Sequence, residues 1–260
     1  MPASEVHNID CLELMRTLPD KSFQLAIADP PYGIGAENQA GPKENGWTQW
    51  AKKDWDKTIP TAEFWSELFR VSKHQIVWGG NYMTEHLPPK MGWVVWDKGQ
   101  RDFSLADGEL AWTSFDKAMR IFSFSRAAAL QEGKIHPTQK PVALYAWLLK
   151  NYAKPGDRIF DPMMGSQSSR IAAYKLGFDY VGCELDKEYF AKGCERFDRE
   201  CHGITISENG QRYQQTSLFA PNPDSVSDHQ PDSVSDHQPD SVSDHQPDSV
   251  SASRPNSDIR

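Results

Sequence analysis

Residues 158–169 read RIFDPMMGSQSS, which predicts a short apolar strand, a turn of small residues and the start of a helix. Residues 180–186 follow as YVGCELD, a second strand that ends in acidic residues. A turn of this kind lets a ligand approach the backbone beside a helix N-terminus. Glu184 is placed to accept hydrogen bonds from two ribose hydroxyls. Its distance in sequence from Asp161 is close to the roughly 20-residue spacing typical of nucleotide folds. No Walker lysine follows the turn, so the sequence does not indicate a triphosphate site.

Strands and helices alternate along the rest of the chain. Apolar runs predict strands at 23–28, 75–78, 93–96, 109–114, 120–125, 158–161 and 180–184, with 109–114 and 120–125 as an antiparallel pair. Helices are predicted at 61–71, 141–152, 168–176 and 187–201. This order indicates an α/β fold with a doubly wound, mostly parallel seven-stranded sheet. Ligands bind such sheets beyond the carboxyl ends of the strands.

A second unusual segment, Asp29-Pro30-Pro31-Tyr32-Gly33, directly follows the strand at 23–28. Asp29 and the carbonyl of Pro30 can accept hydrogen bonds from both protons of an amino group, which frees the nitrogen lone pair for attack. The two prolines fix φ and make the turn rigid. Tyr32 offers a flat face on which a base can stack. The alternative is a simple strand-ending turn with an N-capping aspartate.

Several further segments carry a family resemblance. They are NIDCLEL at 8–14, WGGNY at 78–82, WDK at 96–98 and HPTQKP at 136–141. Together with DPPY at 29–32 and the turn at 161–169, they resemble S-adenosylmethionine-dependent amino-methyltransferases of DNA. The resemblance covers roughly residues 6–202 and is to the permuted (beta) order, in which DPPY precedes the cofactor loop. It is closest to small phage- and prophage-borne adenine-N6 enzymes.

The resemblance implies a Rossmann-like methyltransferase fold that methylates N6 of adenine in double-stranded DNA after flipping the base. The implied catalytic residues are Asp29, Pro30, Pro31 and Tyr32. The implied S-adenosyl-L-methionine contacts are Asp10, Thr138, Gln139, Lys140, Asp161, Met163, Gly165, Ser166, Gln167, Ser168, Glu184 and Asp186. Asp10 corresponds to a residue that contacts the cofactor adenine. The HPTQKP segment corresponds to one beside the cofactor's methionine part.

The cofactor loop departs from the family pattern. The usual DPFxGSGTT is DPMMGSQSS here, with Met163 in place of phenylalanine and Gln167 in place of glycine. If position 167 requires a positive φ, its side chain can crowd the methionine part of the cofactor. We therefore also consider a catalytically silent DNA-binding module of the same fold.

The identity of the target base is a separate question. N4 of cytosine offers the same amine geometry as N6 of adenine. The family's use of aspartate at the first position of the motif favours adenine. C5 methylation of cytosine is disfavoured because the chain contains no Pro-Cys dipeptide to supply a nucleophile. Enzymes that methylate protein or RNA more often begin the motif with asparagine.

Two further segments have a composition suited to binding DNA. Residues 37–56 contain Trp47, Trp50, Trp55 and several lysines. They are expected either to close over DNA as a lid or to pack their aromatic side chains onto the body. Residues 99–135 occupy the place of the family's target-recognition region. This small insertion can read only a short site, which suggests that the chain acts as half of a homodimer.

The polar C-terminal part accounts for most of the net charge of −8. PDSVSDHQ repeats three times from Pro223 to Gln246, and residues 221–260 hold eight aspartates and two arginines. We expect a disordered tail over 223–260, because each repeat offers only one valine to a core. The predicted organisation is a methyltransferase domain at 1–202, a linker at 203–222 and then the tail.

The linker ends in a pentapeptide, Gln215-Thr216-Ser217-Leu218-Phe219, which resembles the peptide by which bacterial proteins dock on the replication sliding clamp. A packed C-terminus is the alternative. The sequence contains no long apolar run and no signal peptide, so we expect a cytoplasmic protein that does not enter a membrane. Its four cysteines lack the spacing of a zinc site, and we expect no metal.

Overall fold

The strands are short and mostly apolar. The computed structural model describes residues 1–35, 53–101, 105–207 and 209–214. Its strands are β1 Ser4–His7, β2 Phe23–Ala28, β3 Ser72–Trp78, β4 Trp93–Asp97, β5 Gly108–Thr113, β6 Arg120–Ser123, β7 Arg158–Asp161, β8 Asp179–Cys183, β9 Ile204–Ile206 and β10 Arg212–Gln214. The first eight form one sheet in the order β1-β8-β7-β2-β3-β5-β4-β6. The five strands from β1 to β3 in this order are mutually parallel, as the near-continuous apolar runs predicted.

Helices cover both faces of the sheet. They are α1 Cys11–Thr17, α2 Ala62–Val71, α3 Arg126–Gln131, α4 Val142–Tyr152, α5 Ser168–Lys175 and α6 Lys187–Phe197, with a 3-10 turn at Gly80–Tyr82 and a π turn at Asp198–His202. Leu14 of α1 and Leu68 of α2 are buried in one core. Leu148 of α4 and Ala172 of α5 are buried in the other. The predicted doubly wound α/β architecture is confirmed.

The sheet differs from the prediction in two respects. It has eight strands in the described residues instead of seven, because β1 pairs in parallel with β8. The sequence of β1, SEVH, has little apolar character, which suits an edge strand but hides it from pattern analysis. The expected antiparallel pairing of 109–114 with 120–125 is wrong. Instead, β4 lies between these strands, antiparallel to β5 and parallel to β6.

The chain beyond α6 continues with more structure than the predicted linker implied. β9 and β10 form a two-stranded antiparallel hairpin, and chain contacts group Met1–Thr216 as one unit. The tail and the peptide Gln215–Phe219 lie outside the described residues. In the part of the chain that the structure describes, no helix has the length and apolar character needed to cross a bilayer.

The topology gathers the unusual segments at one edge of the sheet. β2 lies between β3 and β7, and β7 pairs with β8, all in parallel. The carboxyl ends of these strands therefore meet at the same edge. Asp29 follows β2 and Glu184 follows β8, while Asp161 is the last residue of β7. Segments more than 130 residues apart in sequence thus become neighbours.

Candidate active site

The Asp29–Tyr32 turn brings an acid and an aromatic ring together. The hydroxyl of Tyr32 donates a hydrogen bond to Oδ1 of Asp29 at 2.9 Å. The Tyr32 ring stacks on Tyr82, with centroids 5.3 Å apart and planes 18° apart, and Tyr82 is 46% exposed. Gly79 has φ +68°, and a Cβ there would lie 2.2 Å from the Tyr32 ring. Any side chain at position 79 would therefore displace Tyr32.

Asp56 holds this turn from the opposite side of the loop. It is 1% exposed, and its Oδ1 accepts hydrogen bonds from the backbone N–H groups of Tyr32 and Gly33 (2.9 Å for Gly33). These are the first N–H groups after the two prolines, which have none to donate. Sequence analysis did not identify Asp56, because an aspartate in a polar segment gives no periodic signal.

Lys140 was predicted to lie with the cofactor residues but contacts the catalytic turn. It is 3% exposed, and its Nζ lies 2.5 Å from Oδ1 of Asp29 and 3.1 Å from the Tyr32 hydroxyl. Its third neighbour is Oε2 of Glu109, at 3.1 Å. Lys140 thus links two side chains of the Asp29–Tyr32 turn to Glu109.

Glu109 is a second acid at the site that sequence analysis missed. It lies near the start of β5, and its Oε1 is 2.6 Å from Nζ of Lys98. Burial raises the pKa of Glu109, but Lys140 and Lys98 outweigh this and lower it to about 2. Burial raises the pKa of Asp29 against the opposing charge of Lys140.

Asp161 organises the cofactor loop from inside. Its Oδ1 accepts the N–H of Met163 at 3.0 Å and its Oδ2 accepts the hydroxyl of Ser169 at 2.5 Å. Ser169 in turn lies 2.9 Å from the hydroxyl of Tyr180. Burial raises the pKa of Asp161 to about 7, although both hydrogen bonds oppose the shift. The 2% exposure of Asp161 suits support of the loop better than direct ligand contact.

Glu184 ties the loop to the end of β8. Its Oε2 accepts the N–H of Gly165 and its Oε1 accepts the N–H of Asp186, both at 2.8 Å. Asp186 caps α6 by accepting the N–H groups of Glu188 and Tyr189. Each oxygen of Glu184 keeps a second lone pair, so the carboxylate can still accept from ribose hydroxyls.

Gln167 adopts the positive φ considered in the sequence analysis but does not crowd the loop. Its φ is +60°, and its side chain is fully buried between α5 and α6. There its Nε2 donates to the carbonyl of Phe190 at 3.1 Å, and its Oε1 accepts from Arg170 at 2.8 Å. A Cβ at Gly193 would lie 2.6 Å from Gln167, so a glycine in α6 makes room for the glutamine.

Two serines of the loop are bound to a buried arginine. The Arg196 guanidinium donates to the carbonyl of Ser166 at 3.1 Å and to the hydroxyl of Ser168 at 2.7 Å. Arg196 is 1% exposed and also pairs with Glu132 and Glu200. The hydroxyl of Ser168 therefore holds the loop on α6.

Thr138 and Gln139 stabilise the turn that carries His136. Thr138 places its hydroxyl 3.2 Å from Nδ1 of His136, and Gln139 accepts the N–H of Ile135 at 3.0 Å. Burial, with Lys134 and Lys140 nearby, lowers the pKa of His136 to about 3, so the ring is neutral. A Cβ on Gly165 would be 3.7 Å from this ring, which places His136 beside the cofactor loop.

Residues 53–57 pack onto the body near that loop. The Trp55 ring lies 5.4 Å from His136, and Nζ of Lys53 lies 4.0 Å above the Tyr189 ring and also pairs with Asp186. This part of the segment follows the packing alternative. Residues 37–52, with Trp47 and Trp50, lie outside the described residues, as do 102–104 of the predicted recognition region.

Asp10 is the N-cap of α1 and lies at the same edge of the sheet. Its Oδ1 accepts the N–H groups of Leu12 and Glu13 at 2.8 and 3.3 Å. Neighbouring Asn8 donates to the carbonyls of Glu184 and Leu185 at 2.7 and 3.1 Å. The end of β1 is therefore joined to the acidic end of β8.

Comparison with known proteins identifies the region that contains most of these residues. Residues 75–194 match the N6_N4_Mtase family, described as DNA methylase. The match covers 120 of the 260 residues, which are called the methylase region. The methylase region includes Glu109, Lys140, the cofactor loop and Glu184. The Asp29–Tyr32 turn lies outside it and is brought beside it by the pairing of β2 with β3 and β7.

Two curated relatives extend the similarity beyond the methylase region. YubD of Escherichia coli strain K12, which is named as a methylase, is 25% identical over 203 residues, covering 72% of this chain and 87% of YubD. The type II methyltransferase M.HinfI of Haemophilus influenzae is 24% identical over 233 residues, covering 69% of this chain. The chain spans 64% of M.HinfI, less than two thirds of that protein.

Two solved structures have a similar fold. The M1.HpyAVI–SAM complex aligns with TM-score 0.50 and 18% identity over 75% of this chain and 98% of that one. The cytosine-N4-specific PvuII DNA methyltransferase aligns with TM-score 0.50 and 13% identity, over 81% and 97% of the two chains. At such identities the similarity shows a shared fold.

Proposed function

We propose that this protein transfers a methyl group from S-adenosylmethionine to N6 of adenine in double-stranded DNA, after the base has rotated out of the helix. One observation carries the proposal. The acidic diproline turn at 29–32 and the loop at 161–169 follow adjacent parallel strands and therefore share one sheet edge. A methyl donor at the loop and an amine at the turn would be close together, and proximity of this kind accounts for a large part of catalysis in transfer reactions.

The turn supplies what a base amine requires. Asp29 and the carbonyl of Pro30 accept hydrogen bonds from the two amino N–H groups. These bonds draw the nitrogen lone pair out of conjugation with the ring. Tyr32 would supply a stacking surface worth roughly 1–3 kcal/mol per base once the base replaces Tyr82, whose ring stacks on Tyr32 in this structure. Asp56 and Gly79 keep Tyr32 in place by a hydrogen bond to its backbone and by close packing of its ring. The site acts by positioning and by exclusion of water, without a covalent intermediate.

The residues at the loop fit S-adenosylmethionine. Glu184 offers acceptors for the ribose hydroxyls, and Asp10 lies at the adjacent end of β1. The buried side chain of Gln167 leaves the front of the loop clear, and neutral His136 beside Gly165 adds no positive charge near a sulfonium. When bound, the cofactor supplies a methyl group on a positively charged sulfur, and the transfer leaves a neutral thioether and one proton shed by the amine.

N4 of cytosine is the second candidate target. The turn would hold its amine in the same way, and the cytosine-N4-specific PvuII enzyme shares the fold. Aspartate at position 29 favours adenine, on the family resemblance. Nucleoside mass spectrometry after incubation with genomic DNA and labelled cofactor separates the two. We expect N6-methyladenine, and N4-methylcytosine alone would replace the proposal with its rival.

A silent DNA-binding module is tested in the same experiment. The silent alternative predicts DNA binding without incorporation of label by the wild-type protein. The Asp29→Ala variant serves as the control for contaminating activity. Modified-base sequencing of host DNA after expression would then report the recognition site.

We also propose contacts that concern partners. Residues 99–135 would read a short DNA site as half of a homodimer. The Gln215–Phe219 peptide would dock on a bacterial sliding clamp through Gln215, Leu218 and Phe219, with the two apolar side chains filling a pocket. A pull-down with purified clamp tests the second proposal. Equal binding by wild type and by the Leu218→Ala/Phe219→Ala double variant would exclude it.

A further inference from the structure

Lys140 has the contacts of a fixed part of the reaction site. An ammonium group has three protons to donate, and Nζ of Lys140 has three acceptors within 3.1 Å, namely Asp29, Tyr32 and Glu109. No donor remains for a ligand unless one of these contacts breaks. Because the residue is 3% exposed, leaving a donor unpaired there would be costly. This differs from the cofactor contact that the sequence implied.

Glu109 and Lys98 complete a charge-balanced cluster. Lys140 pairs with both Asp29 and Glu109. Nζ of Lys98 lies 2.6 Å from the other carboxylate oxygen of Glu109. Two carboxylates therefore face two ammonium groups, which is the condition under which buried charges are tolerated. Lys98 is 13% exposed and Glu109 is 23% exposed, so Lys140, at 3%, is the most buried member of the cluster that they form with it.

The groups around Asp29 leave it dependent on one cation. Among the described residues, the groups that influence its charge include Lys140, Glu109, Tyr32, Tyr145 and Asp161. Only Lys140 among them carries a positive charge. Burial, Glu109 and Asp161 all favour the neutral acid. Removal of Lys140 would leave two carboxylates close together, and Glu109 would keep Lys98. Asp29 would be the group that takes up a proton.

The contacts also select one oxygen of Asp29. Within the part of the chain that the structure describes, Lys140 and Tyr32 both bond Oδ1, and Oδ2 accepts no hydrogen bond. A protonated Asp29 could place its O–H donor against the N–H donors of the base, so that no hydrogen bond would form there. An ionised Asp29, held at Oδ1, presents Oδ2 as an acceptor.

We infer that Lys140 is a positioning residue that favours the ionised form of Asp29 and turns its Oδ2 toward the amine of the target base, and that Glu109 is a positioning residue that holds Lys140 in place. This inference rests on the proposed methyl transfer. Lys140 acts on Asp29 directly. Glu109 acts by holding Lys140. It lies on β5, which is separated from β7 and the cofactor loop by β2 and β3 in the sheet.

The test is the pH dependence of single-turnover methyl transfer to a DNA duplex. The rate of wild-type protein should depend less on pH than the rate of Lys140→Met, because Lys140 opposes protonation of Asp29. Lys140→Met should lower the rate at neutral pH by about 100-fold. Its rate should then rise roughly tenfold per pH unit up to a raised pKa. Lys150→Met is the matched control, since Lys150 is exposed on the last turn of helix α4, which begins two residues after Lys140.

Glu109→Gln preserves the shape of the side chain and guards against a folding defect in Lys140→Met. It should lower the rate by about tenfold, with little change in pH profile, because Lys140 remains beside Asp29. The double variant Lys140→Met/Glu109→Gln should titrate at lower pH than Lys140→Met alone, since one repelling carboxylate is gone. Equilibrium binding of S-adenosylmethionine should stay within about threefold of wild type in every variant.

The outcomes separate the two levels of the proposal. A wild-type protein that transfers no methyl group to DNA overturns the proposed function itself. An active wild type with a Lys140→Met variant of unchanged pH profile overturns the inference. A Lys140→Met variant that loses only cofactor affinity also overturns it and favours the cofactor contact implied by the sequence.

Discussion

The two halves of the site are stabilised by different forces. At the Asp29–Tyr32 turn, the central contacts are ion pairs among Asp29, Glu109, Lys98 and Lys140. At the cofactor loop, the central contacts are hydrogen bonds from backbone N–H groups and serine hydroxyls to two carboxylates, Asp161 and Glu184. One half depends on a balance of charges and the other on a closed set of hydrogen bonds.

This difference predicts how each half fails. In a buried ion-pair network, removal of one member leaves an uncompensated charge, so the effect spreads to its partners. In the hydrogen-bonded loop, each carboxylate holds backbone groups that remain in place when a neighbour changes. We therefore expect substitutions at the turn to act on the rate of reaction, and substitutions at the loop to act mainly on stability.

The largest effect should come from Asp29→Ala. It removes the acceptor for the amino group and leaves Lys140 with only Glu109 as an ionic partner. We expect methyl transfer to fall by about 10³-fold or more, with cofactor binding retained. Steady-state transfer to DNA and equilibrium cofactor binding measure the two effects. Loss of cofactor affinity equal to the loss of rate would contradict the separation of the two halves.

Asp56→Ala should have the next largest effect on the rate. It removes the acceptor for two N–H groups of the turn, so Tyr32 loses its fixed position. A displacement of about 1 Å at a reacting group can lower a rate by about 100-fold. The matched control is Asp54→Ala, whose side chain is 75% exposed and, among the described residues, pairs with Lys57. Equal rates for the two variants in the transfer assay would show that Asp56 does not position the turn.

Gly193→Ala tests the packing behind the loop. Alanine favours a helix over glycine by about 1 kcal/mol, but the added Cβ would lie 2.6 Å from Gln167. We expect a net loss of about 1–2 kcal/mol in unfolding free energy. The loss should disappear in a Gln167→Gly background, where the clash is absent. Denaturant unfolding of the four proteins in this cycle gives the coupling, and a cost that persists without Gln167 would refute it.

Asp161→Asn should have the smallest effect, visible as a change in pH dependence. The folded pKa of Asp161 is about 7, above its unfolded value of 3.8, so its protonated form stabilises the fold and that contribution is lost as pH rises through 7. Wild type should therefore lose about 1 kcal/mol of stability from this group between pH 6 and pH 8.

The Asp161→Asn variant should lack that component, since its amide oxygen can accept the N–H of Met163 and its amide nitrogen can donate to the hydroxyl of Ser169 without titrating. Thermal unfolding at the two pH values is the measurement. Asp116→Asn, at an exposed carboxylate, is the control and should behave as wild type. An identical pH response in Asp161→Asn and wild type would count against a titrating Asp161.

The sequence predicted the parallel part of the sheet well, because buried parallel strands are continuous apolar runs. Runs such as FQLAIA in β2 and RIFD in β7 locate both halves of the site at one edge. Pairing partners were harder to predict. β5 and β6 are successive strands, which favours a hairpin, but β4 lies between them. No local residue pattern encodes that choice.

The missed site residues show the same limit. Glu109 lies on an antiparallel strand, so the beginning of β5 reaches the edge where the parallel strands end; its partner in register is Trp96, near the end of β4. An acid at the start of an apolar strand was a usable signal, but only once the strand direction was known. For a similar reason, the contact with Asp29 was not predicted for Lys140. Its motif gives its position in sequence, whereas the ion pair with Asp29 spans 111 residues.

The pairing of β1 with β8 affects the order in which the protein folds. Residues 4–7 find their strand partner only at 180–183, and Asn8 reaches across 176 residues to the carbonyl of Glu184. Closing so long a loop is slow and unfavourable until the remaining sheet exists. During synthesis the corner formed by Asn8 and Glu184 should therefore assemble last, after β8 has left the ribosome. A nucleoside bound there would retain the N-terminal strand and protect it from proteolysis.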